Sequence, residues 1–101
     1  MPKRSISWNQ KKTNDLFSAI LLLKNTDECR RFFRDLCTLE EIADMSDRWQ
    51  IVKMIIRKVP YRSIASRLKV STTTVARVAQ WLRHGQDGYQ LILKRLGNNK
   101  T

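Results

Sequence analysis

Cysteine, histidine, proline and glycine are all scarce in this chain, and each scarcity excludes something. Cys29 and Cys37 are the only cysteines, and the single histidine, His84, lies far from both along the chain. A structural zinc site needs four such ligands at close spacing, so no metal is expected. The two cysteines read as free thiols in or near the core. Two prolines and three glycines leave little punctuation for a many-turned β fold. The longest apolar run, AILLL over 19–23, falls far short of the roughly 20 residues that span a bilayer. Residues 1–8 are basic but no apolar h-region follows them, so a secretory signal and a membrane are not expected and the cytoplasm is. No Ser/His/Asp set, paired catalytic carboxylates or phosphate-cradling glycine loop can be found. Neither an enzyme nor a cofactor is expected.

Acids are scarce as well. Nine Asp and Glu face 20 Lys and Arg, a formal net charge of +11. Such an excess speaks of partners rather than fold, and the partners are polyanions. The 42% hydrophobic content argues against wholesale disorder. A chain of 101 residues buries a modest core, so a second copy sharing that core would help its stability.

Apolar spacing of three and four recurs from Asn14 to near the end, and no segment alternates with period two. The expected fold is all-α, with about seven helices. Residues 1–13, holding Lys3, Arg4, Lys11 and Lys12, read as a basic arm that Trp8 could tether, and 14–101 as the helical domain. Asn14 is the expected cap of the first helix, which carries Leu16, Phe17 and Ile20 to Leu23. Thr26 opens the second, with Asp27 and Glu28 in its first turn. Thr38 and Glu41 match a capping box for a short third helix, and Ser46 or Asp47 is expected to cap a fourth that Pro60 stops. A helix over Tyr61 to Leu68, a turn over 69–71 and a helix over 72–83 come next. A last helix begins at Asp87.

The stretch 61–82 reads as a helix-turn-helix. Two short helices crossing steeply over a tight turn need particular inward residues. Ile64, Leu68, Val75 and Val78 point to the core, Ala65 is small where the second helix crosses, and Val70 plugs the turn. Lys69 occupies the place usually given to glycine and must accept a strained backbone or a different turn. The second helix opens with Ser71, Thr72, Thr73 and Thr74, hydroxyls suited to base edges and phosphates. Arg62, Arg67, Lys69 and Arg77 surround that end. These eight residues are the candidate contacts to double-stranded DNA. A hairpin with a solvated basic face would more often carry Glu or Lys where this chain has uncharged hydroxyls.

From Leu36 to Leu82 the chain resembles the Trp repressor family, and its YerC/YecD-like branch over nearly the whole length. DLFSAILLLK from Asp15, CRRFFRDLCT over 29–38, RWQIV over 48–52 and GQDGY over 85–89 carry that resemblance. It implies an intertwined homodimer whose helices flanking the motif interlock. The best-known member binds L-tryptophan as co-repressor. By resemblance Thr38, Arg48 and Arg77 match a threonine and two arginines of that pocket, and stand as candidates for an effector or a phosphate. Val78 and Trp81 fall where small residues would admit an indole, so L-tryptophan is not the expected effector.

The remaining residues take ordinary roles. Trp49 and Trp81 read as core or dimer aromatics, Arg30, Arg31 and Arg34 as a solvated face, and His84 as an exposed helix end. The expectation is a homodimeric transcriptional regulator, a repressor, reading the major groove. The alternative is a non-regulatory nucleic-acid adaptor of the architectural or DNA-packaging kind.

Overall fold

A computed structural model describes residues 7–97. Six helices and no strand occur among the described residues: α1 (Lys11–Ile20), α2 (Thr26–Leu36), α3 (Leu39–Ile56), α4 (Tyr61–Leu68), α5 (Thr72–His84) and α6 (Gly88–Gly97). The expected all-α architecture holds. Packing divides the chain into residues 1–39 and residues 40–101.

In the first unit, Asn25 caps α2. Its side chain accepts from the Glu28 amide at 2.9 Å, while the Glu28 carboxylate accepts from the Lys24 amide at 2.9 Å. One of the amides that a helix start leaves unpaired is thereby satisfied, and the residue before the cap is tied to the first turn. Phe32 and Phe33 meet edge to face at 5.8 Å. Neither α1 nor α2 buries a single residue, and both cysteines are half-buried free thiols.

The core lies in the second unit, where Ile51 and Val52 of α3 pack with Ile64, Ala65, Val75, Val78 and Leu82. Trp49 stacks on Tyr89 at 6.4 Å, and the Gln90 amide donates to the Leu82 carbonyl at 2.8 Å, tying α6 to the end of α5. Two helices end on a left-handed lysine. Lys58 has φ 64°, and around it the Val59 amide reaches back to the Met54 carbonyl and the Lys58 amide to that of Ile55. Lys69 (φ 57°, ψ 43°) ends α4, with the Val70 amide bonded to the Ala65 carbonyl. This is the helix-ending hydrogen-bond pattern that glycine usually serves.

Three local expectations change. The third and fourth helices are one continuous α3, so the count is six. Ser46, expected to cap a new helix, sends its hydroxyl back to the Ile42 carbonyl at 2.8 Å, and no Gly or Pro interrupts the ladder. Asn14 is not a cap: α1 begins at Lys11, and the Asn14 amide already bonds the Gln10 carbonyl at 2.9 Å. Residues 11–13 of the expected arm 1–13 belong to α1. Residues 1–6 lie outside the described residues, and Trp8 is 64% exposed.

Candidate nucleic-acid interface

The turn over 69–71 is short because Lys69 reverses the chain in the left-handed region. Val70 then packs on the core, and Ser71 starts α5 in extended geometry. The Ser71 hydroxyl accepts from the Thr74 amide at 3.0 Å and lies 2.9 Å from the Thr74 hydroxyl. Thr74 is half-buried, so its geometry is that of a capping partner rather than an outward contact. Inward, Val75 and Val78 are fully buried and seat the helix on Ile64 and Ala65.

Outward, the picture is different. Thr72 and Thr73 are exposed at the first turn. Helical spacing puts Ala76, Arg77 and Gln80, all exposed, on the same face as Thr73. Ala76 and Gln80 were absent from the sequence-based set, although a step of three and seven from Thr73 would have found them. Arg62, Arg67, Lys69 and Arg77 are exposed, and among the described residues none of them forms an ion pair. Four exposed cations on α4, the turn and α5, without an ion pair among the described residues, favour anions at this helix pair. The charge of the whole chain supports the placement. Residues 1–47 carry eight Lys and Arg against eight acids, whereas residues 48–101 carry twelve against Asp87 alone.

Beside this face lies a cleft of about 420 Å³ between α3 and the start of α5. Arg48 and Arg77, two of the three candidate effector residues, line it together with Asp44, Asp47, Ser71 and Thr74. Val70, Val78 and Trp81 supply its apolar lining. The two aspartates were not foreseen, being some 30 residues from Arg77 in sequence. The Arg48 Nε donates to the Asp44 carbonyl at 3.3 Å. Thr38, the third candidate, is exposed and belongs to the first unit.

The family model described as "Trp repressor protein" matches residues 11–97, almost all of the chain. The chain belongs to the Trp repressor family. Within it the chain sides with the YerC-like branch, being 37% identical over 91 residues to "Uncharacterized protein YerC" of Bacillus subtilis (strain 168). That alignment covers 90% of this chain and 88% of the relative. Among solved structures, a TrpR-like protein from Eubacterium eligens ATCC 27750 superposes with TM-score 0.85 at 40% identity, over 89% of this chain and 93% of the other. A putative Trp repressor from Staphylococcus aureus gives TM-score 0.83 at 40% identity, over 92% and 96%. The Trp repressor fold is that of DNA-binding regulators, and α4–α5 is its helix-turn-helix. Among the described residues no helix is long and apolar enough to cross a membrane.

Proposed function

We propose that this Trp repressor family member is a sequence-specific transcriptional repressor. It works in the cytoplasm as a homodimer and reads the major groove with the start of α5. The observation that carries the reading is the outward face of that helix. Uncharged hydroxyls of Thr72 and Thr73 stand exposed in its first turn, and Arg62, Arg67, Lys69 and Arg77 of the same helix pair are exposed and form no ion pair among the described residues. Short hydroxyl side chains suit base edges, and the cations suit flanking phosphates. The dimer is supported by apolar surface that the protomer leaves open: α1, α2 and α6 bury nothing, and Leu21 and Leu22 are 83% and 77% exposed. Two copies related by a two-fold axis would read two half-sites one helical turn apart.

The protein is a binding module and not a catalyst. L-tryptophan is not its effector, because Val78 belongs to the core and Trp81 lines the cleft where an indole would lie. Arg48 and Arg77 remain the cations through which the cleft would hold a carboxylate or a phosphate.

The test is to select bound fragments from the source genome and footprint them. A regulator protects one defined two-fold site. Even coating of DNA would favour the architectural adaptor, and no protection at all would refute DNA binding.

A further inference from the structure

The outward side chains of α5 are short where the helix begins. Thr72, Thr73 and Ala76 are exposed there, whereas Thr74 is bonded to Ser71 and Val75 is buried. Steps of four from Thr72 and three from Thr73 make Ala76 the surface neighbour of both, with Cβ atoms roughly 5–6 Å apart. Each of the three carries a methyl group, the γ-methyls of the threonines and the β-methyl of Ala76. None can make the two-pronged hydrogen bond by which Arg or Lys grips guanine and Asn or Gln grips adenine. The first amide side chain of α5, Gln80, comes four residues or about 6 Å beyond Ala76, and Arg77 lines the cleft together with Arg48. A methyl surface facing the major groove has one apolar counterpart among the bases, the C5-methyl group of thymine.

We infer that Thr72 and Thr73 select thymine by packing their γ-methyl groups on its C5-methyl, with Ala76 completing the methyl surface. This rests on the DNA-reading function proposed above and names what the start of α5 selects. Each half-site then holds A·T pairs where α5 begins. Cytosine is refused there because it presents a bare C5–H and leaves the methyl surface without a partner. Taking one methyl group out of water is worth about fourfold in affinity. The contact carries no charge, so it adds nothing to the salt dependence that the phosphate contacts set.

Deoxyuridine in place of thymidine tests the contact, because it removes the methyl group and keeps every hydrogen bond of the base pair. Duplexes carrying the site recovered by genomic selection are substituted one thymine at a time, and affinity is followed by fluorescence anisotropy at one salt concentration. At one or more thymines of each half-site the unchanged protein should lose about fourfold for the methyl removed. Thr72→Ser and Thr73→Ser keep the hydroxyl and lose the γ-methyl. At least one of them should bind the thymine duplex more weakly and no longer distinguish it from the deoxyuridine duplex. Thr73→Val, which keeps the methyl and loses the hydroxyl, should still distinguish them. Failure to recover any defined site overturns the DNA reading and this inference with it. A defined site that is indifferent to deoxyuridine at every position, or a loss that persists undiminished in both serine variants, overturns only the thymine contact.

Discussion

Replacing Lys69 by glycine should make the protein more stable and a weaker DNA binder at once. Lys69 sits at φ 57° and ψ 43°, where the side chain of an L-residue crowds its own carbonyl. That conformation costs roughly 1–2 kcal/mol for a non-glycine residue. Glycine removes the cost but gives the unfolded chain more freedom, which takes back about 0.5–1 kcal/mol. The net gain is about 0.5–1 kcal/mol, or roughly 2–8 °C in melting temperature for a domain of this size. Two comparisons isolate the cause. Lys69→Ala keeps the strain and loses the charge, so it should melt close to the unchanged protein while losing as much DNA affinity as the glycine variant. Lys58→Gly relieves the same backbone strain at the end of α3 (φ 64°) and should stabilise without touching DNA binding. Melting is followed by circular dichroism at one fixed protein concentration, because a dimer's midpoint shifts with concentration. If Lys69→Gly melts at or below Lys69→Ala, the left-handed geometry is not the source of strain and the reasoning fails.

Four further outcomes follow from the site. Thr73→Ala should cost specific binding about 1–3 kcal/mol and leave binding to random duplex nearly intact, measured on both duplexes at one salt concentration; equal losses would make Thr73 an anchor only. Log affinity should fall with log salt by about 0.9 per phosphate contact, and Arg62→Ala or Arg67→Ala should flatten that slope by about one contact per subunit, as fluorescence anisotropy across a salt series would reveal. Calorimetry with L-tryptophan should register no heat of binding at sub-millimolar concentration; a one-per-subunit isotherm lost on Arg48→Ala would contradict the cleft as described. Gly85→Ala should destabilise by about 1–3 kcal/mol in urea unfolding, because a Cβ there would press on the Trp81 carbonyl, which is backbone and cannot swing aside.

What could be read from residues alone was what stereochemistry constrains tightly. Ile64, Ala65, Val75 and Val78 are the buried inward set of the helix pair, because a steep crossing admits few side chains at those positions. Pro60 reads as the stop of the helix before it, but α3 already ends at Ile56, and Pro60 with φ −59° stands instead as the residue that precedes α4. Misreadings gathered where one side chain has two local uses. Ser46 can cap a helix or bond back within one, and only the continuous ladder of α3 decides between them. Asn14 reads as a cap by residue type, yet the helix had already begun a turn earlier at Lys11. The left-handed Lys58 gave no signal, since nothing in a lysine announces a positive φ. Asp44 and Asp47 entered the cleft only once folding brought α3 beside α5.

The capped start of α5 also bears on the entropy of recognition. Ser71 and Thr74 bind each other and the backbone, so the turn that presents Thr72 and Thr73 is already fixed before any contact is made. Threonine has one side-chain torsion leading to its hydroxyl, and branching at Cβ restricts even that. A lysine or arginine in the same place would forfeit up to about 2 kcal/mol of rotamer freedom on ordering. Threonines on a rigid turn lose little when they engage a base, so nearly all of a matched contact is retained as affinity. A mismatched base has little to gain from rearrangement, because these side chains are too short to find another partner. On the proposed reading, discrimination at this helix would come from stiffness, with the longer cations left to follow the phosphates.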